Sequence, residues 1–383
     1  MVGPVALYVH IPFCRARCAY CDFPTTAGLD HLMPAYVNAL CVEIEQVAAR
    51  WGGGQPLPAV TVYFGGGTPS LLPPDLLRRA FDQIRRCFAV LPDAEISLEA
   101  NPGTVDRFTL RHLRALGVNR LSLGVQSAHD DELRTLGRIH TWAQALEGVR
   151  AARAAGFTNL SLDFIYGLPG QTVACWRETL QAALCLEPEH LSLYALTVEE
   201  GTPLAGRIAR GELPAPDEET AAEMYELAEE MLAGAGFHHY EISNWARDLT
   251  RICRHNLTYW RNEPWLGVGA GAASWWGGQR WSNVRHPSDY VARIQAGLPA
   301  AEEIEDIPPR LEMGETMMLG LRLTEGVSDA RFRARFGLGL VERFGAELRR
   351  LCDWGLLEWD GQVARLTARG RLLGNQVFQQ FLP

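Results

Sequence analysis

From residue 5 onward the chain alternates, six times, a short apolar stretch rich in β-branched or aromatic residues with a longer stretch of helical spacing. Strand character is read at 5–9, 60–64, 95–99, 120–124, 160–165 and 191–196. Helical spacing is read at 32–49, 75–87, 105–116, 142–155, 172–184 and 218–235. A strand, a helix and a further strand in one sheet form a right-handed parallel crossover, so six such units demand a parallel sheet. The strands read as nearly all apolar, which suits a sheet covered on both faces. An open doubly wound sheet and a barrel both satisfy the pattern. In either, the site belongs at the edge where the strands end. Polar and glycine-rich residues collect there: Gly65-Gly66-Gly67, Glu99, Gln126-Ser127, Asp163 and Gly167-Leu168-Pro169-Gly170.

The pattern changes near residue 239. The segment 239–305 is rich in tryptophan and glycine and has no clear period, with an acidic, proline-containing linker expected at 302–309. Residues 306–383 read as a third unit: helices at 311–321, 329–336 and 340–354, a hairpin at 356–366 turning on Asp360-Gly361, and a last helix. That order resembles a winged helix. The expected units are therefore 1–238, 239–305 and 306–383.

Charge and composition exclude several functions. The formal net charge is −9 and every basic residue is arginine, so lysine Schiff-base chemistry and a lysine-bearing phosphate loop are excluded. Nucleic-acid binding needs a basic footprint that the whole chain lacks. Arg331, Arg333, Arg335, Arg343, Arg349 and Arg350 give the last unit local positive charge, but among acidic neighbours. No apolar run reaches the roughly 20 residues of a membrane helix. The segment from Met1 to Ala6 carries no signal-peptide pattern, so a cytoplasmic location is expected.

Nine cysteines are present, six scattered and three clustered. The scattered ones read as small core hydrophobes in reducing surroundings. The cluster lies in His10-Ile11-Pro12-Phe13-Cys14-Arg15-Ala16-Arg17-Cys18-Ala19-Tyr20-Cys21-Asp22-Phe23, directly after the first strand. Three thiolates at this spacing can wrap one loop around an iron–sulfur cluster and leave one iron open. The competing reading is a zinc site with His10 or His31 as fourth ligand, against which the spacing speaks. A second decoy, Gly267-Val268-Gly269-Ala270-Gly271-Ala272, fits a dinucleotide fingerprint on paper but lacks the expected preceding strand and following helix.

The cysteine segment resembles that of the radical S-adenosylmethionine (SAM) proteins, in particular the group holding the oxygen-independent coproporphyrinogen III dehydrogenases and their relatives, the haem chaperones. The resemblance runs over essentially the whole chain. It includes Gly65-Gly66-Gly67-Thr68-Pro69-Ser70, Leu98-Glu99-Ala100-Asn101-Pro102, Leu123-Gly124-Val125-Gln126-Ser127, Leu136-Gly137-Arg138, Leu162-Asp163 through Gly170, and Tyr194-Ala195. It implies a partial (β/α)6 TIM-type radical SAM barrel with a C-terminal winged-helix-like α+β domain. It also implies a [4Fe–4S] cluster on Cys14, Cys18 and Cys21, and SAM contacts from Tyr8, Tyr20, Gly66, Thr68, Glu99, Gln126, Arg138, Asp163 and Ala195.

Two features favour the chaperone within this group. Phe23 stands where the dehydrogenases carry a further cysteine, and the barrel begins at residue 5 without their covering extension. His255-Asn256-Leu257-Thr258-Tyr259-Trp260 resembles the chaperones' haem motif. An imidazole can ligate haem iron, and Tyr259 and Trp260 offer flat faces. Cys253 is a candidate second ligand or attachment point. The competing reading of His255 is a hydrogen-bonded core histidine. The resemblance implies haem as cargo and respiratory haem proteins as recipients. The alternative is radical oxidative decarboxylation of coproporphyrinogen III.

Overall fold

The computed structural model describes residues 3–383; Met1 and Val2 of the N-terminal segment lie outside the described residues. Six strands run parallel: β1 (Val5–Ile11), β2 (Leu57–Gly66), β3 (Phe88–Ala100), β4 (Arg120–Gln126), β5 (Leu160–Tyr166) and β6 (His190–Ala195). They lie side by side in chain order. A doubly wound sheet reverses its strand order at a switch point, and this sheet does not. With right-handed crossovers always stepping the same way, every helix falls on one face, and the sheet curves into a partial barrel.

The strands expected as uninterrupted apolar runs alternate instead. Leu7, Val9, Val62, Phe64, Leu98, Leu121, Leu162 and Leu191 belong to the buried core under the helices. Their neighbours Tyr8, Tyr63, Glu99, Ser122, Asp163 and Ser192 line a cavity on the concave face. Period-2 alternation thus separates a greasy outside from a polar inside. Helix starts are set locally. Asp106, Thr141, Thr172 and Asp217 each accept a backbone N–H of the first turn, and Thr141 with Gln144 forms a capping box. Each such cap contributes about 1 kcal/mol.

Residues 239–305 extend the same sheet at both ends. Beyond β6 lies Asn244–Ala246, antiparallel to it, and then His238–Glu241, antiparallel to Asn244–Ala246. Beyond β1 lies Trp265–Val268, parallel to it, followed by antiparallel Ala273–Trp276, Gln279–Asn283 and Ala301–Asp306. Leu266, Val268, Trp281 and Tyr290 join the barrel's core, so this segment has no separate one. The acidic stretch read as a linker is the edge strand Ala301–Asp306. Charged residues suit an edge, where they discourage pairing with other chains. The glycine decoy also differs from its reading. A strand does run into it, but an antiparallel strand follows where a dinucleotide fold needs a helix.

The C-terminal unit carries its own core, including Met317, Phe332, Leu340, Phe344 and Leu351. Helices Pro309–Gly320, Asp329–Phe336 and Leu340–Asp353 surround a three-stranded sheet of Val327–Ser328, Leu357–Trp359 and Val363–Leu366, the order of a winged helix. The single last helix expected is two short ones, Ala368–Leu372 and Gly374–Phe378. Arg331, Arg333 and Arg335 are paired with Glu325, Glu342 and Glu312 within the chain. These arginines are thereby neutralised as a nucleic-acid footprint.

Candidate active site

The loop after β1 carries the three clustered cysteines to the strand-end edge. It is closed by a short parallel bridge between Phe13–Cys14 and Thr26–Ala27. All three line one cavity of about 550 Å³. Donors surround the sulfurs. Thr68 Oγ1 donates to Cys14 Sγ at 3.8 Å and itself accepts from Asn101 Nδ2 at 2.7 Å. Arg138 Nη1 donates to Cys18 Sγ at 3.3 Å. Burial pushes the Cys14 thiol up, and the Thr68 hydroxyl opposes it. A thiolate there therefore gains from a bound cationic centre.

The zinc reading fails on its nearer histidine. His10 is buried, with Nδ1 against the Tyr8 hydroxyl at 3.0 Å and Nε2 against the Pro24 carbonyl at 3.1 Å. Burial also lowers it to about 4. Among the described residues no three His, Cys, Asp or Glu side chains converge on one ion position. Three thiols on one loop that share a cavity suit a cluster held by thiolates.

Two carboxylates stand on the cavity wall, Glu99 next to the end of β3 and Asp163 midway along β5. Glu99 Oε1 accepts from the Tyr63 hydroxyl at 2.7 Å, and Oε2 accepts from Gly66 N–H at 3.1 Å. Burial raises Glu99 to about 7, and the nearby Asp163 charge adds to the effect. Asp163 accepts from Ser122 Oγ at 2.9 Å and from Ser161 Oγ at 3.2 Å. Its value too is raised by burial, against the Ser192 and Ser122 hydroxyls. Gly66 turns at φ +110°, and a Cβ there would lie 2.4 Å from the His10 ring. Only glycine allows the backbone this close approach.

Gln126 adopts φ +74°, a strained conformation for a residue with a side chain. Its Oε1 is buried without a partner, as is Nε of Arg138. Arg138 Nη2 donates to the Gly124 carbonyl at 2.7 Å and to Asn101 Oδ1. Unpaired polar atoms in a lined cavity mark the places where a polar ligand relieves their desolvation. Tyr8, Tyr20, Thr68 and Ala195 complete the wall. The residues present fit a cluster at the thiols and SAM beside it.

The haem trio is not brought together. His255 and Tyr259 line the floor of this cavity, and Trp260 does not. Trp260 lies under Arg322, 4.4 Å from the guanidinium, toward the C-terminal unit. His255 is buried, with Nδ1 at 2.8 Å from Thr61 Oγ1 and Nε2 at 2.9 Å from the Tyr259 hydroxyl. Cys253 is fully buried and donates to Glu95 Oε1 at 3.5 Å, away from the cavity. Of the residues expected for haem, His255 and Tyr259 thus reach the cavity, while Trp260 and Cys253 lie outside its lining. Sequence reading also missed Tyr63, Asn101, Arg120, Ser122, Ser192 and Tyr194, all on the cavity wall. Their signal was alternation. Tyr63, Ser122, Ser192 and Tyr194 each neighbour an outward apolar residue on their strand.

Residues 8–183 match the radical SAM superfamily and residues 307–373 match the HemN C-terminal domain. Barrel, thiol loop and cavity define a radical SAM protein. A haem chaperone HemW from Mycobacterium tuberculosis is 43% identical over 99% of this chain and 95% of that protein. HemW from Bacillus subtilis is 39% identical over 98% of each. Coproporphyrinogen III oxidase (HemN) from Escherichia coli, a radical SAM enzyme, superposes with a TM-score of 0.87 at 26% identity, covering 99% of this chain and 90% of that one. The chain belongs to the HemW family of radical SAM proteins.

Proposed function

We propose that this protein binds haem as cargo and passes it to recipient haem proteins, respiratory enzymes among them, with a [4Fe–4S] cluster and SAM held in the barrel. The observation that carries the reading is the mouth of the cavity. Phe23 and Ile139 stand 61% and 60% exposed there, with exposed Arg15 and Arg17 on the same loop as the thiols. An apolar edge flanked by guanidiniums complements a flat macrocycle bearing two carboxylates. The HemW names of the relatives support the same cargo.

In this reading Cys14, Cys18 and Cys21 hold the cluster through deprotonated sulfurs, steadied by Thr68 and Arg138. Glu99 and the Gly66 backbone position the amino acid end of SAM; Gln126, Arg138 and Asp163 hold polar atoms along its length. Tyr8, Tyr20 and Ala195 exclude water around it. Bound there, the cluster supplies one electron to the sulfonium, the chemistry of the class. The nine cysteines are all unpaired, which agrees with a reducing, cytoplasmic setting. No helix among the described residues is long and apolar enough to cross a membrane.

A second reading is porphyrinogen decarboxylation, favoured by the superposition on HemN. Phe23 at the mouth speaks against it. Titrating the anaerobically reconstituted protein with haem separates the two. A saturable, stoichiometric Soret band, with coproporphyrinogen III left unconsumed, is the expected result. Porphyrinogen turnover without haem binding contradicts the chaperone reading.

A further inference from the structure

The inner end of the cavity holds a charge for which the chain supplies no partner. Arg120 opens β4 and lines the cavity, while its neighbour Leu121 belongs to the core outside. It is 2% exposed, and among the described residues no other arginine is as buried. Its Nε has no hydrogen-bond partner, and the guanidinium forms no ion pair among the described residues. Less buried arginines do find carboxylates: Arg280 pairs with Glu315 at 2.6 Å, and Arg335 with Glu312 at 2.7 Å. Three carboxylates share the surroundings of Arg120 without reaching it. Each is spent on other donors: Glu95 on the Arg254 backbone N–H at 3.0 Å, Glu99 on Tyr63 and Gly66, and Asp163 on the Ser122 and Ser161 hydroxyls.

A guanidinium stays protonated inside a protein, and a buried charge is ordinarily paired. A fold bears an unpaired one where a bound molecule supplies the partner. Toward the other end of β4, Arg138 is already held by Cys18 Sγ and the Gly124 carbonyl. Gly124 lies four residues along the strand from Arg120, about 13 Å. The two guanidiniums thus stand well apart in one cavity, and the inner one has no partner among the described residues. We propose that Arg120 is a carboxylate-binding residue: its guanidinium takes an acid group of the molecule that fills the barrel, either the methionine carboxylate of SAM or a propionate of haem. The planar fork of arginine matches the two oxygens of a carboxylate. This role rests on the reading above, in which SAM and haem are what the protein takes up, and it fixes which end of the guest turns inward.

The test compares reconstituted wild type, Arg120→Met and Arg120→Lys, each with its cluster content checked by absorbance. Two pairs of probes are used: SAM with decarboxylated SAM, followed by equilibrium dialysis, and haem with haem dimethyl ester, followed by the Soret band. Denaturant unfolding without any guest is measured on the same samples. In Arg120→Met, affinity for one of the two acids is expected to fall about tenfold to a hundredfold, while its carboxylate-free counterpart binds variant and wild type alike. The pair that shows the difference names the guest. Without a guest, Arg120→Met is expected to unfold at a denaturant concentration equal to or above that of wild type, because an uncompensated buried charge has been removed. Arg120→Lys, which keeps the charge but not the fork, is expected to lose part of the affinity. Unchanged binding of both acids overturns the proposal. So does equal weakening of an acid and its counterpart, which reports shape rather than charge. A guest-free Arg120→Met less stable than wild type also overturns it, since Arg120 then serves as a structural counter-charge to Glu95. Should Arg120→Met fail to retain its cluster, Arg120→Lys decides by the same comparison of acid with counterpart. If wild type takes up no haem, the chaperone reading fails, and the SAM pair alone decides the role of Arg120.

Discussion

The Arg138 guanidinium lies against the Cys18 sulfur, Nη1 to Sγ at 3.3 Å, while its other nitrogen is tied to the Gly124 carbonyl at 2.7 Å. One side chain thus joins the thiol loop to the end of β4. A cation fixed beside a ligating sulfur stabilises the more negative, reduced cluster. Arg138→Gln is expected to lower the midpoint potential by on the order of 100 mV, from Coulomb attraction at an intermediate dielectric. A redox titration of the reconstituted variant reads this directly; an unchanged potential contradicts it.

Glu99 gives the pocket a pH dependence. Its folded value, about 7, lies above that of an unfolded carboxylate, chiefly through burial and then through Asp163. Without ligand, its contribution to stability is therefore full below the unfolded value and is lost as pH rises through about 7. The ammonium of SAM needs the ionised form, so binding below that value must release a proton. SAM affinity is expected to rise with pH, by up to about tenfold per pH step of one, and to level off above about 7. Dialysis across pH 5.5–8.5 checks this, and Glu99→Gln is expected to flatten the profile.

Gly66→Ala tests the close approach of the backbone. The position combines φ +110° with a contact of 2.4 Å to the His10 ring. Strain and overlap together are expected to cost more than about 2 kcal/mol and to abolish SAM binding. Denaturant unfolding and dialysis report the two effects; wild-type values in both contradict the assigned geometry.

The C-terminal unit has a core of its own, with Leu351 fully buried in it. Leu351→Ala is expected to cost about 2–5 kcal/mol through cavity formation, with the cluster's visible absorption retained at 25 °C. Loss of the absorption in parallel with the fold of this unit contradicts separate cores.

The six strand–helix units were legible because each strand carries buried apolar residues such as Leu7 and Val9, or Leu121 and Leu123, and is spaced by helices long enough to cross back, while the choice of a barrel over an open sheet came from the resemblance. The thiol spacing was legible because cluster chemistry fixes it. The edges of the sheet were not. Trp265–Val268 spans four residues and pairs with β1, hundreds of positions earlier, so nothing local announces it. Ala301–Asp306 disguises a strand behind the acidic residues that protect an edge. The place of His255 was hidden for the same reason. Its partners Thr61, Tyr63 and Glu95 come from strands 160 to 194 residues away, so the sequence allowed a hydrogen-bonded core histidine but could not name what holds it.

The central claim is that haem leaves this protein for another. The most direct measurement loads the anaerobically reconstituted protein with haem, adds SAM and an apo-haem protein, and follows the acceptor's own Soret band. The account expects transfer by the wild type, and its loss in a variant lacking Cys14, Cys18 and Cys21. Haem that stays bound, or moves equally well without the three thiols, contradicts it.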